Sequence, residues 1–138
     1  MVGEVVTRFE SPVIEAEPVG AVVTEVEARG KNLLVWFDEQ HALYTHMRMT
    51  GSWHLLASGS AWTRPVAQMR VMFATAAWEA VCFNAPVVEW LTAWEVRHHP
   101  VLAELGPDLL ADGEIEEALV RLRVAALAGD HAHAIQST

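Results

Sequence analysis

The sequence predicts a mainly β fold: an antiparallel β-sandwich, or flattened barrel, of six to eight strands with one or two C-terminal helices. Short apolar runs rich in β-formers alternate with glycine, proline and polar turns, which is typical of hairpin-connected strands. The 138 residues are 52% hydrophobic, which is enough to bury the core of one domain.

The stretch from Arg29 to Trp53 is the clearest part of this pattern. It reads as a strand, a short polar turn, a second strand, a break at Gly51 and the start of a third strand. Strands are predicted at residues 5–9, 20–27, 32–37, 41–47, 53–56, 69–75 and 78–83.

Two helices are predicted. Pro86 suits a first helical position, so a short helix is expected within residues 85–94, with Trp90 and Trp94 on one face. Packing of this face on the sandwich is favoured over base stacking. The clearest helix is residues 112–128, because Asp112 can cap its start and acidic residues fill its first turn.

These elements predict a single domain. Its parts are a poorly defined N-terminal segment (1–18), a β-sandwich (19–111), a helix (112–128) and a tail (129–138). The one cysteine, Cys82, excludes an internal disulfide and fits a reducing compartment. Neither a signal peptide nor an apolar run of about 18 residues is visible, so a cytoplasmic location without a membrane partner is expected.

The net charge of −9 argues against a nucleic-acid partner, but the charge is unevenly distributed. Residues 29–70 contain five basic and two acidic side chains, whereas the rest of the chain contains four basic and sixteen acidic ones. A positive face on an acidic body is compatible with phosphate binding. Random clustering is the alternative.

The polar residues of the basic segment gather at its turns. Lys31 follows Gly30, and His46, Arg48 and Met49 precede Gly51. Lys31 is the only lysine of the chain. Amine chemistry is one reason for its presence, because a lysine amine becomes a nucleophile or base once its pKa is lowered.

Four ordered motifs carry a resemblance to a known family: RGKNLL, THMRMTGSWHL, FNAPVVEW and HPVLAELGPDLL. Together they resemble the N-terminal domain of the formamidopyrimidine-DNA glycosylase/endonuclease VIII family, in its actinobacterial endonuclease VIII-like branch, over residues 19–110. The resemblance implies a β-sandwich and an activity of base excision on oxidised bases, with β-elimination at the resulting abasic site.

The resemblance also implies roles for individual residues. Lys31 would contact the phosphate of the damaged nucleotide and assist catalysis, and His46 would contact the backbone nearby. Met49 would fill the gap left by a flipped base, while Arg48 and Arg29 are candidate phosphate contacts. The alternatives are a solvated turn lysine, a locally bonded strand-end histidine and a core methionine.

The chain departs from the family at its start. Family members begin with a proline whose amine attacks the sugar, followed by a glutamate. In this chain the order is Met1-Val2-Gly3-Glu4, so the nucleophile is expected to be missing, and Glu4 is interpreted as a solvated terminal residue.

Relatives continue into a helix-two-turn-helix domain and a zinc finger. This sequence ends at Thr138 without a cysteine pair, so no zinc or other cofactor is expected. The adjacent His98 and His99 do not predict a metal site either, because neighbouring side chains point to different sides.

Two functions of different classes follow. The first is the N-terminal domain of a base-excision-repair DNA glycosylase/AP lyase, expected to be inactive alone as this shortened chain. Its partner would be damaged double-stranded DNA, bound weakly. The alternative is a non-catalytic DNA-binding or self-associating β-domain, the latter forming a homodimer through an exposed apolar patch.

Overall fold

The computed structural model describes residues 1–29, 32–47 and 50–104. Within these residues the chain forms two four-stranded antiparallel sheets, with strand orders β1-β6-β7-β5 and β2-β3-β4-β8. The strands are β1 (Arg8–Glu10), β2 (Val23–Arg29), β3 (Asn32–Phe37), β4 (His41–His46), β5 (Ser52–Ala57), β6 (Met69–Ala74), β7 (Trp78–Phe83) and β8 (Val87–Thr92). One helix, α1 (Ala93–His98), follows β8, and 3₁₀ turns occupy Val66–Gln68 and Leu102–Glu104.

Period-two alternation places one face of each sheet in a shared core. Leu33, Val35 and Phe37 of β3 point inward from one sheet, and Val71 and Phe73 of β6 point inward from the other. The rings of Phe37 and Phe73 meet edge to face at 5.4 Å. The two sheets therefore form an open sandwich rather than a closed barrel, as the apolar runs predict.

The outer faces of both sheets are also covered. Val96 of α1 and Leu102 pack on Leu34 and Tyr44, which point outward from the β2-β3-β4-β8 sheet. On the other sheet, Trp62 from the β5–β6 connection packs against outward-facing residues including Phe83. Residues on the two faces of β3 and β4 thus belong to different apolar clusters.

The helix predicted within residues 85–94 is wrong. That stretch forms β8, which pairs with β4 along its whole length, and α1 begins only after Thr92. Thr92 and Glu95 form a capping box, which marks the true helix start. Pairing with β4 overrides the preference of Pro86 for a helix N-terminus, because β-branched residues follow the proline.

Consequently Trp90 and Trp94 do not share a face. Trp90 lies in β8 and packs in the sandwich against Phe37, stacked on the ring of His41 at 5.3 Å. Trp94 is 60% exposed on α1, where it stacks on His98. The packing role expected for the pair is therefore correct for Trp90 alone.

The N-terminal segment contributes to the core. Met1 and Val6 are fully buried, and the amide of Gly3 donates to the carbonyl of Val23. Glu4 is half-buried and accepts a hydrogen bond from the hydroxyl of Thr75 at 2.6 Å. The interpretation of Glu4 as a solvated terminal residue is wrong, because its carbonyl accepts from the amide of Val23 and its carboxylate accepts from Thr75.

The remaining strand predictions agree with the structure to within a few residues. The helix predicted at residues 112–128 lies outside the described residues. Among the described residues no helix is long and apolar enough to cross a membrane. Cys82 is buried and unpaired, and burial raises the pKa of its thiol well above the usual range.

Gly51 is required by the tight connection between β4 and β5. Its amide donates to the carbonyl of Met47 at 2.8 Å, and a Cβ on Gly51 would lie 2.7 Å from that same oxygen. Met47 is 1% exposed and anchored in the core, so its backbone cannot retreat. Only a residue without a side chain fits at this position.

We predict that Gly51→Ala lowers the free energy of unfolding by about 1–3 kcal/mol, the usual cost of forcing an extra carbon into a packed site. Urea unfolding followed by circular dichroism measures the change. Ser60→Ala, at an exposed loop position, is the control and should unfold within about 0.5 kcal/mol of the parent.

Glu79 fastens the β5–β6 connection to β7. Its carboxylate accepts from the indole of Trp62 at 3.0 Å and from the amide of Gly59 at 3.1 Å. The Trp62 hydrogen bond is the largest influence and lowers the pKa of Glu79; burial opposes it, and the Gly59 amide and the charge of Arg8 lower it further.

Because the folded-state pKa of Glu79 is depressed, its stabilisation is present above the unfolded-state value and is lost as the pH falls through the folded-state value. We predict that Glu79→Gln costs about 1–2 kcal/mol of unfolding free energy at pH 7, and that this deficit shrinks below pH 4.5. Urea titrations from pH 3 to 7 measure it. Glu15→Gln, at an exposed position, should show no such pH-dependent deficit.

Candidate nucleic-acid interface

The last rung of the β2-β3-β4-β8 sheet brings together residues from four strands. Arg29 pairs with Asn32, Asn32 with His46, and His46 with Val87. We call these four residues the terminal rung. Side chains of one rung point to the same face of a sheet, so two residues predicted for the site, Arg29 and His46, are brought side by side with Asn32 between them.

The guanidinium of Arg29 is held by protein groups on two of its nitrogens. One donates to the carboxylate of Glu27 at 3.1 Å, and another donates to the carbonyl of Leu102 at 3.1 Å. The Arg29 side chain is only 18% exposed. The side chain thus links Glu27 to Leu102, and only a small part of it is accessible to solvent.

Asn32 closes the hairpin between β2 and β3. Its amide nitrogen donates to the carbonyl of Arg29 at 2.9 Å, and its amide oxygen accepts from the hydroxyl of Tyr44 at 2.7 Å. Tyr44 is 3% exposed, and a buried tyrosine hydroxyl requires such a partner. The two strand ends that flank Lys31 in the sequence are thereby tied to each other and to β4.

His46 ends β4 and is half-buried, facing the same side of the sheet as Tyr44. Its neighbours across the rung are Asn32 and Val87. This position at a strand end is compatible with both interpretations from the sequence, a contact to a phosphate backbone and a locally bonded histidine.

The connection from β4 to β5 leaves the same end of the sandwich. It is anchored by buried Met47 at its start and by Thr50, whose hydroxyl donates to the carbonyl of Asn84 at 3.1 Å. Asn84 has a positive φ of 59° and donates its amide nitrogen to the side-chain oxygen of Gln68. A braced turn therefore flanks residues 48–49.

Lys31, Arg48 and Met49 lie outside the described residues. Arg29 and Asn32 flank residues 30–31, Met47 and Thr50 flank residues 48–49, and all four are described and lie at one end of the sandwich. The end of β2, the start of β3, the end of β4 and the start of β8 form the terminal rung. Gly51, just before β5, bonds to Met47, the residue that follows His46 of the rung. The segment selected from the sequence therefore brings its described strand ends together at the terminal rung. Lys31, Arg48 and Met49 themselves are not among the described residues.

The opposite end of the same strands carries acidic residues. Asp38 and Glu39 form the turn between β3 and β4, six residues along the strand from the terminal rung, which corresponds to about 20 Å. Met1 lies at this far end too, because Gly3 bonds to Val23 at the start of β2. Met1 is therefore remote from the terminal rung.

Two residues of this region were missed by sequence reasoning as contributors: Tyr44 and Asn84. The signal for Tyr44 was available, since the only tyrosine of the chain falls at an alternating core position and must find a hydrogen-bond partner there. Asn84 could have been predicted to adopt a turn conformation, because asparagine tolerates positive φ better than most residues.

The adjacent histidines after α1 have separate contacts. His98 stacks on Trp94, whereas His99 contacts the ring of Tyr44 edge-on and approaches Glu89 with 3.4 Å between its Nε2 and the carboxylate. In the described part of the chain no three histidine, cysteine or acidic side chains cluster in a way that could hold a metal ion.

Comparisons with known proteins identify the family. The family model for the formamidopyrimidine-DNA glycosylase N-terminal domain matches residues 3–86. A probable endonuclease 8 from Streptomyces coelicolor is 39% identical over 129 residues, covering 89% of this chain and 46% of that protein. Endonuclease 8 of Salmonella agona is 33% identical over 110 residues, covering 80% of this chain and 41% of that protein.

Solved structures show the same fold. The formamidopyrimidine-DNA glycosylase of Lactococcus lactis, bound non-covalently to DNA containing an AP site, superposes with a TM-score of 0.61 at 16% identity, over 72% of this chain and 41% of that one. The chain thus spans less than half the length of the relatives it matches. Because the family match covers more than half of the 138 residues, this chain belongs to the formamidopyrimidine-DNA glycosylase family, in whose N-terminal domain its residues 3–86 lie.

Proposed function

We propose that this chain, as the N-terminal domain of a base-excision DNA glycosylase that acts on oxidised bases, binds damaged double-stranded DNA at the end of the sandwich that carries the terminal rung. The contacts come from His46 and from the two connections that leave the rung. Lys31, Arg48 and His46 contact the sugar-phosphate backbone, and Met49 occupies the gap left by an extruded base. A cytoplasmic location, where DNA is accessible and Cys82 stays reduced, is part of this proposal.

The observation that carries the proposal is the convergence at one end of the sandwich. The described flanks of both predicted contact segments meet there, whereas Asp38 and Glu39 sit at the far end. These carboxylates lie about 20 Å from the rung, which is twice the Debye length at 0.1 M salt. Their repulsion of a phosphate chain bound at the rung is therefore largely screened.

The relatives support the same partner. The Lactococcus lactis protein was solved with AP-site DNA, and another structural neighbour, MutM, with DNA containing a carbocyclic 8-oxoguanine.

Catalysis is a separate question. The family mechanism requires an amine that attacks the sugar, whereas residues 1–4 of this polypeptide contain no proline and lie at the far end of the sandwich from the terminal rung. We therefore expect this polypeptide alone to bind DNA without excising bases. Borohydride treatment with abasic DNA tests this, and a trapped covalent adduct would contradict it.

We predict that Lys31→Gln and Arg48→Gln each weaken binding to a duplex with an abasic-site analogue and reduce the slope of log K against log salt by about 1, because each removes one phosphate contact. Fluorescence anisotropy at several salt concentrations gives the slope.

The matched control is Arg97→Gln. Arg97 is exposed on α1 and is not a residue of the terminal rung, so the same charge is lost outside the proposed contacts and the slope should stay unchanged. Equal effects of all three substitutions would indicate a general attraction of charge rather than the proposed interface. Sedimentation of the free protein in the same buffers tests the alternative of a self-associating domain, and a monomer is expected.

Met49→Ala tests the gap-filling role separately. We predict that it reduces the preference for the abasic-analogue duplex over an intact duplex about tenfold, because alanine cannot fill the space of an extruded base. Competition binding with both duplexes measures the preference. Val66→Ala, at an exposed apolar position, should preserve it, and a preserved preference in Met49→Ala would remove Met49 from the site.

A further inference from the structure

We propose that Arg29, Asn32, Tyr44 and the segment from His99 to Leu102 form a brace that positions the β2–β3 hairpin, and through it Lys31, for DNA. These are positioning residues, since they act on the hairpin and not on the nucleic acid. The inference rests on the proposed function and assigns a role to the HPVL sequence after α1 (residues 99–102), which the proposed DNA contacts do not include.

The first connection of the brace runs from β2 to the chain after α1. Arg29 donates to the carbonyl of Leu102, whose side chain is completely buried in the cluster on the outer face of the sheet. The second hydrogen bond of Arg29 goes to Glu27, which also accepts from the indole of Trp36 at 2.8 Å. The guanidinium is therefore fixed from two directions.

The second connection runs from β3 to β4. The Tyr44 hydroxyl donates to Asn32, and Asn32 donates in turn to the carbonyl of Arg29. This series links the residues immediately before and after residues 30–31. A rotation of the Asn32 side chain would break both hydrogen bonds at once, so Tyr44 controls the closure of the hairpin from a buried position.

His99 joins the two connections. Its ring contacts Tyr44 edge-on with centroids 5.4 Å apart, and its Nδ1 accepts from the amide of Val101 at 3.1 Å. The carbonyl of His99 accepts from the amide of Ala103. The short segment that presents the Leu102 carbonyl to Arg29 is thus shaped by a histidine that also packs on Tyr44.

Such a brace has a physical purpose at a phosphate site. A lysine side chain is long and loses much rotamer freedom on binding, so a fixed backbone at its base leaves less freedom to be lost on contact with DNA. Arg29, interpreted from sequence as a phosphate contact, serves in this proposal by holding the hairpin.

The first experiment needs no DNA. Because the chain has one lysine, labelling with ¹⁵N-lysine gives a single backbone amide signal, that of Lys31. We expect an order parameter near about 0.85 in the parent and below about 0.6 in Tyr44→Phe and Arg29→Gln. Thr45→Val removes a neighbouring buried hydroxyl that bonds to Trp53 and should leave the Lys31 signal unchanged.

The second experiment measures binding to the abasic-analogue duplex. Tyr44→Phe should weaken binding about fivefold, the effect of one lost buried hydrogen bond, whereas Thr45→Val should not. In the double variant with Lys31→Gln, Tyr44→Phe should have almost no further effect, because the two substitutions act on one contact. Thermal unfolding of every variant verifies that it is folded at the binding temperature.

The outcomes separate the two proposals. A rigid Lys31 amide in both Tyr44→Phe and Arg29→Gln, or additive effects with Lys31→Gln, would overturn the brace even if Lys31 binds DNA. If Lys31→Gln leaves DNA binding intact while the amide becomes mobile in Tyr44→Phe, the proposed interface fails, and the brace loses its role in positioning Lys31 for DNA.

Discussion

The hydrogen-bonded register of β2, β3, β4 and β8 is the constraint on which the rest of the structure depends. Arg29, Asn32, His46 and Val87 share a rung only because three strand pairs keep this register without a slip near that end. A shift of one residue in β3 would turn Asn32 inward and Leu33 outward. The buried side chains on both faces of β3 oppose such a shift, since each would leave the apolar cluster that it fills and Asn32 would lose its hydrogen bond from Tyr44.

This arrangement is compatible with the proposal that an acidic chain binds DNA. Net charge describes the whole molecule, whereas binding depends on the local field where the phosphate lies. The strands separate the acidic β3–β4 turn from the terminal rung, and Glu27, the carboxylate nearest Arg29 in β2, is occupied by hydrogen bonds from Arg29 and Trp36. Among the described residues, the acidic turn and the terminal rung thus lie at opposite ends of the same strands.

Strand prediction from the sequence succeeded where the local pattern and the tertiary pairing agree. The β3–β4 hairpin is the best case, because a β-rich run, a polar turn and a second run are all local signals. Residues 85–94 are the contrary case: Pro86 indicated a helix, but β4 offered an open edge and the segment became a strand. The pairing of β8 with β4 joins residues about 40 to 50 positions apart, so it cannot be recognised from a sequence window of ten residues.

The sequence by itself determined the two-sheet class, the family and the segment in which the candidate contacts gather, since alternation and ordered motifs are properties of neighbouring residues. It could not determine that Arg29 would be clamped by the carbonyl of Leu102, 73 positions later, or that Tyr44 would hold Asn32. Nor could it place Met1 far from the terminal rung. Those relations arise only when the folded core brings distant residues into contact, because hydrogen bonds depend on distance in space and not along the chain.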